Sequence, residues 1–282
     1  MSRTDVVLVK SFGDLVIAAA VAEHMPAAAR AGFRLLVGEH LIPLLEAIGT
    51  SVPVHVLRHG EEGVPAMYDV RRCGRIAALR SAWRLRREIA AAAPSRLLFD
   101  QVRVRERWLS GSTPVAALPG AANIYLAYEG GLGATRVSGG IAWRAGDIGI
   151  FPGSRIAAKN LTRPIVEAAM RAIAGSGDAP RLMLLEGERP DLEASGLPFE
   201  RVQRSLPSMV AAVSGCGAVV SADSMPAHVA EHRGIPVHVI SPVDNRYWLP
   251  RSAFVRGRWS LFDADQDDAI GSFLTDIKKG DG

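Results

Sequence analysis

Cysteine is almost missing from this chain of 282 residues: Cys73 and Cys216 stand alone, with no Cys or His beside them at metal-ligand spacing. That excludes a disulfide scaffold and a zinc module. No apolar run approaches the roughly 20 residues that a bilayer-spanning helix needs. The start, Met1-Ser2-Arg3-Thr4-Asp5, leads straight into Val6-Val7-Leu8-Val9 and not into a signal-peptide core. The expectation is a cytoplasmic protein. Charge of one sign is also in short supply, since a net charge of +4 is too small to argue for a nucleic-acid partner. There is no Gly-x-Ser-x-Gly elbow, His-Glu-x-x-His pair, RNA-recognition signature, solenoid repeat or low-complexity tract beyond alanine-rich helices. Lysine occurs only at Lys10, Lys159, Lys278 and Lys279, and arginine supplies the other cations. The cationic excess lies in the first half.

The 48% hydrophobic and 22% charged content, by contrast, is that of a folded chain with a real core. Short apolar runs at 6–9, 34–37, 52–56, 96–99, 148–151, 182–185, 218–221 and 237–240 read as strands buried on both faces. Helical patterns lie between them, at about 15–30, 41–48, 76–92, 163–175, 208–214 and 225–233, with a further helix after Asp267. Such alternation predicts an α/β protein with parallel sheets. The series breaks between about Asp100 and Gly146, where Gly and Pro accumulate, and restarts at Ile148. Two Rossmann-like domains are expected, residues 1–145 and 146–282, facing across a cleft, with ligands beyond the carboxyl ends of the strands.

Three strand ends carry polar residues suited to chemistry. The first runs Lys10-Ser11-Phe12-Gly13-Asp14 into a helix. There Gly13 permits a tight turn, and Asp14 is either a plain N-cap or a carboxylate presented to the cleft. In the second, Phe151-Pro152-Gly153-Ser154-Arg155 leads through Lys159 to a helix starting near Thr162. It offers N–H groups, a hydroxyl and two cations to a phosphate, or is an ordinary solvated loop. It is not a Walker A loop, because the second Gly and the Lys-Ser/Thr pair are absent. In the third, Asp223 and Ser224 precede a helix with Pro226 in its first turn, a dipole end that suits a diphosphate. His228 follows, as a functional or a structural histidine.

Taken together, these patches resemble the ADP-heptose:lipopolysaccharide heptosyltransferase family, glycosyltransferases of the two-Rossmann GT-B architecture. The patches run in order over most of the chain. They are Gly13-Asp14, Phe151-Pro152-Gly153-Ser154 with Lys159, Leu206-Pro207-Ser208-Met209, Ser221-Ala222-Asp223-Ser224 with His228, Gly234-Ile235-Pro236-Val237, and Ser241-Pro242-Val243-Asp244 before Trp248 and Pro250.

The resemblance implies an inverting transfer of heptose from ADP-heptose to a lipopolysaccharide or other surface-glycan hydroxyl, without a metal or further cofactor. It implies Asp14 as the acceptor's base, with Lys10, Ser11 and Gly13 on the acceptor side. Lys159 would meet the sugar and phosphates, alongside Gly153, Ser154 and Arg155. Asp223, Ser224, Met225 and His228 would hold the donor diphosphate and sugar, and Glu188, or else Glu186, the ribose. The chain departs from the family pattern at Met225, where glycine is usual, and at Asn160-Leu161, which replaces a basic-aromatic pair. Another nucleotide sugar, or a binding protein without turnover, is therefore an open alternative.

Two weaker signals remain. Ile76, Leu79 and Trp83 share a helix face beside Arg75, Arg80, Arg84 and Arg87, which suits either peripheral contact with an anionic membrane or a core-packed stripe under solvated arginines. The run Asp263-Ala264-Asp265-Gln266-Asp267-Asp268 reads as an acidic helix start in preference to a metal site.

Overall fold

A computed structural model describes residues 3–133 and 146–280. The chain divides into two compact units, Met1–Ser138 and Gly139–Gly282. The expected boundary at residue 145 and the Gly139-Gly140 pair lie outside the described residues.

In the first unit β1 (Thr4–Leu8), β2 (Phe33–Gly38), β3 (Val54–Leu57), β4 (Arg96–Phe99) and β5 (Val115–Ala117) form a parallel sheet in the order β3-β2-β1-β4-β5. Alternate residues point to opposite faces. Val7, Leu36, Leu97 and Phe99 share a core with Leu85 and Ile89 of helix Arg75–Ala91.

The second unit holds β6 (Ile148–Phe151), β7 (Pro180–Leu185), β8 (Glu200–Val202), β9 (Ala218–Ala222), β10 (Val237–Ser241) and β11 (Trp259–Leu261). Its order, β11-β10-β9-β6-β7-β8, is again fully parallel. Helices Arg163–Gly175 and Gln266–Lys278 bury Val166, Ala169 and Ile173 with Ile270, Phe273 and Leu274 over one face. Each sheet has the doubly wound order, which reverses direction beside its first strand, between β1 and β4 and between β6 and β9.

All eight expected strands are present. The three additional ones, β5, β8 and β11, are three-residue edge strands, too short to show a period. The segment after Asp100 is no break in the series, since it folds as helix Val104–Ser110, β5 and helix Ile124–Leu132. The single helix expected at 15–30 is two, Phe12–Glu23 and Ala27–Arg30, separated at Pro26. In helix Arg75–Ala91 the core stripe is Ala78, Ser81, Leu85 and Ile89, so Ile76, Leu79 and Trp83 face outward, away from the core.

Candidate active site

In the first unit, β1 delivers Lys10 and Ser11 to the reversal point, and β4 delivers Asp100 beside them. Lys10 Nζ donates to both Asp100 oxygens at 2.7 and 2.8 Å. Ser11, in extended backbone, is the N-cap of helix Phe12–Glu23, its Oγ accepting from Asp14 N at 3.1 Å. Asp14 is therefore not the cap that one sequence reading allowed; it stands at the third helical position. Burial pushes its carboxyl above the ordinary carboxylate range, with the Asp100 charge acting in the same direction. The Ser11 hydroxyl and the Lys10 charge pull it back only in part. Gly13 makes no turn with positive φ, and a Cβ there would meet only Ser11 Oγ, at 3.7 Å. The backbone does not require this glycine, so the tight-turn expectation is corrected.

In the second unit the loop after β6 is held by its own side chains. Asn160 Oδ1 accepts from Ser154 N at 2.7 Å, and Ser154 Oγ accepts from Ile156 N at 3.3 Å. Buried Arg189 donates to the Pro152 carbonyl at 3.2 Å while paired with Asp191. Leu161 is fully buried in the core. The Asn160-Leu161 pair thus shapes the loop and anchors it.

Lys159, in a short 3₁₀ turn of this loop, crosses the second reversal point to Asp223, the first residue after β9, with Nζ–Oδ2 2.7 Å. Asn245 Nδ2 donates to the same Asp223 oxygen at 2.7 Å. His228 is buried beside them. Burial holds it neutral, with its pKa lowered to about 4 against the pull of Asp223 and Glu231, while Lys159 lowers it further. Ser224 begins helix Met225–Arg233 without a side-chain cap, its hydroxyl turning back to the Ala222 carbonyl at 3.3 Å. Met225 stands partly exposed at that helix start.

Glu188 and Glu186 part company at a turn. Glu188 N bonds the Leu185 carbonyl, with Gly187 at φ 68°. The turn folds Glu188 onto Gly153, so closely that a Cβ on Gly153 would overlap the carboxylate, whereas Glu186 is exposed. Burial raises the Glu188 carboxyl against the pull of Arg204 and Arg189. Arg155 lies exposed in the loop.

Sequence reasoning missed Asp100, Asn245 and Arg189. Asp100 carried a readable signal, as the first residue after an apolar strand. The acidic run near 265 is a helix start, with Asp265 accepting from Asp268 N at 3.2 Å and Asp267 paired with Arg171. Among the described residues no group of three His, Cys, Asp or Glu side chains is arranged to hold a metal ion.

The fold is that of the two-Rossmann glycosyltransferases. The chain is similar to the crystal structure of a glycosyl transferase family 9 protein from Veillonella parvula, with a TM-score of 0.66 and 14% identity over 99% of this chain and 98% of that one. It is also similar to E. coli heptosyltransferase WaaC with ADP, at TM-score 0.65 and 13% identity over 98% and 99% of the two chains. For E. coli ADP-heptose lps heptosyltransferase II the TM-score is 0.59, with 14% identity over 98% of each chain. Neither a protein-family model nor a curated protein matches it.

Proposed function

We propose that the chain is a cytoplasmic, inverting glycosyltransferase that moves heptose from ADP-heptose to a hydroxyl of a lipopolysaccharide or other surface-glycan acceptor, with the acceptor bound at the first unit and the nucleotide sugar at the second. The observation that carries this reading is the second reversal point, where Lys159, Asp223, Asn245 and a helix start without a side-chain cap gather at the strand ends where doubly wound sheets bind nucleotides. The end-to-end likeness to a heptosyltransferase with ADP supports ADP as the nucleotide.

In the reaction, the acceptor oxygen bonds to the anomeric carbon while its proton passes to Asp14, whose raised pKa suits a base that must take up a proton near neutrality. The bond from that carbon to the diphosphate breaks, and the nucleoside diphosphate leaves with the electron pair. Lys159 and the N–H groups at the start of helix Met225–Arg233 face the growing charge. Glu188, folded over Gly153, is the group for the ribose hydroxyls, in preference to exposed Glu186. Met225 at the helix start favours a second reading in which the donor is another nucleotide sugar.

Thermal-shift measurements against ADP-, UDP-, GDP- and CMP-sugars identify the donor, because a bound ligand raises the melting temperature according to its affinity. Transfer to a cell-extracted acceptor then tests the chemistry. Asp14→Asn is expected to fold, to bind donor and to lose about a hundredfold to ten-thousandfold in rate. Lys159→Ala is expected to weaken donor binding or slow transfer about tenfold or more. Wild-type transfer by Asp14→Asn removes the base assignment. Donor binding by the wild type without transfer to any acceptor makes the chain a binding protein.

A further inference from the structure

Helix Arg75–Ala91 packs with one face and leaves the other bare. Ile76 is 71% exposed, Leu79 60% and Trp83 54%. At about 100° per residue these three fall within an arc of about 60°, with Arg80, Arg84 and Arg87 along one margin and Arg75 and Arg86 along the other. Large apolar side chains at such exposure, side by side on one helix, are unusual on a surface that meets only water.

The neighbouring helix Val104–Ser110 extends the patch. Trp108 meets Trp83 edge to face with ring centroids 5.3 Å apart, and the Arg86 guanidinium lies 4.7 Å from the Trp108 ring centre. Val104, one turn before Trp108 on the same helix, is 85% exposed.

The charge is as one-sided as the apolar stripe. No acidic residue occurs between Val70 and Arg87, a stretch that also contains Arg71 and Arg72. Exposed Arg163, Arg171 and Arg201 are matched with carboxylates, in the pairs Arg163–Glu167, Arg171–Asp267 and Arg201–Glu193. The five arginines flanking the stripe form no ion pair among the described residues.

We propose that this face docks the chain on an anionic lipid bilayer, with helix Arg75–Ala91 lying in the headgroup plane, its Ile76, Leu79 and Trp83 entering the acyl boundary and its arginines reaching sideways to lipid phosphates. Arginine is suited to that margin because its stem lies along apolar surface while its head meets phosphate. Nucleic acid would use the arginines but has no use for Ile76 and Leu79 at their centre. A second copy of the same face would bring like charges together.

The docking stands on these observations alone. It rests on the transferase reading only for its consequence, which is that a lipid-borne acceptor would reach the first unit on this side. A run of contacts joins the patch to the candidate base's neighbourhood. Arg105, on the helix that carries Trp108, stacks over the Tyr68 ring at 4.1 Å, and Lys10 lies 5.3 Å from the same ring.

Co-sedimentation of the full chain with vesicles, run without donor or acceptor, tests the docking separately from transfer. Binding is expected to phosphatidylcholine vesicles containing phosphatidylglycerol, not to phosphatidylcholine alone, and to weaken as salt is raised. Arg80→Glu with Arg84→Glu is expected to weaken it by more than the roughly fivefold per arginine that neutralisation alone would cost. Ile76→Ser with Leu79→Ser is expected to weaken it about tenfold or more while the melting temperature holds, since neither side chain packs. Equal binding to both vesicle types, or wild-type binding by both variants, overturns the proposal. So does self-association, or retention on a random DNA duplex, in the absence of vesicle binding. Vesicle binding without any transfer leaves the docking standing and removes the transferase reading, and transfer to a soluble acceptor without vesicle binding does the reverse.

Discussion

Gly153 and Glu188 make one device out of two residues. Glycine at 153 leaves free the space that the Glu188 carboxylate occupies, and the Gly187 turn is what brings that carboxylate there. The overlapping atoms lie at the free end of a flexible side chain. Gly153→Ala is therefore expected to fold with a stability change of about 1 kcal/mol or less and to push the Glu188 carboxylate out of place. If Glu188 holds the ribose, Gly153→Ala and Glu188→Ala weaken nucleotide binding to a similar degree, and the double variant is no worse than either single one, as expected for residues acting through one contact. Calorimetry with ADP on the four proteins checks this. Additive losses would separate the two residues. Asn245 acts on a similar scale, since its bond to Asp223 leaves that carboxylate oxygen shared between an amide and Lys159.

At the scale of elements, the helix that begins at Ser11 sets both the position and the protonation of Asp14. Ser11→Ala removes the cap, at a cost of about 1 kcal/mol. It also removes a hydrogen bond that holds the Asp14 carboxyl down, so that pKa rises further. A base must be ionised to accept a proton, and its rate falls as pH drops through its pKa. The acid limb of kcat/KM is thus expected at higher pH in Ser11→Ala than in the wild type, and at lower pH in Asp100→Asn, where a neighbouring negative charge is removed. Identical limbs in all three proteins would detach Asp14 from the rate. Much at this scale was legible in the sequence. The long buried strands and helix Arg163–Gly175 announced themselves by period and caps, while β5, β8 and β11 were too short to do so. Helix Arg75–Ala91 misled because it carries two apolar sets, of which Ile76, Leu79 and Trp83 face outward while the packed stripe is Ala78, Ser81, Leu85 and Ile89. In the Lys159–Asp223 bridge both partners stood among the sequence candidates and in Lys10–Asp100 only the lysine did, and it took the strand order to pair them.

Those two bridges give the whole molecule a repeated plan. In each unit the loop after the first strand sends a lysine across the reversal point to the aspartate that follows the fourth strand, so the same sheet order has produced the same ion pair twice. The plan is open to acid in both units, because each holds histidines that its interior keeps neutral: in the first, burial lowers the pKa of His40 to about 4 and lowers that of His59 as well. In the second, His228 has its pKa lowered to about 4 and His238 to about 3, both by burial first, with the Arg258 charge adding to the effect at His238. Either residue in the unfolded chain titrates near 6.5. Between pH 6.5 and about 4 the unfolded chain therefore binds protons that the folded chain refuses, so the folded state loses stability as pH falls, by about 1.4 kcal/mol per pH unit for each such histidine. Asp14 and Glu188 act with the opposite sign. Their raised pKa values mean a penalty present at neutral pH that is relieved as pH falls through the folded-state value, so they soften the lower part of the decline. Urea unfolding of the wild type is expected to show lower stability at pH 5 than at pH 7.5. In His238→Gln, which keeps a partner for the Ser260 hydroxyl and cannot take up the proton, the decline should be shallower by about one histidine's share. A wild-type stability that is flat across this range would mean that these histidines are not held neutral by the fold.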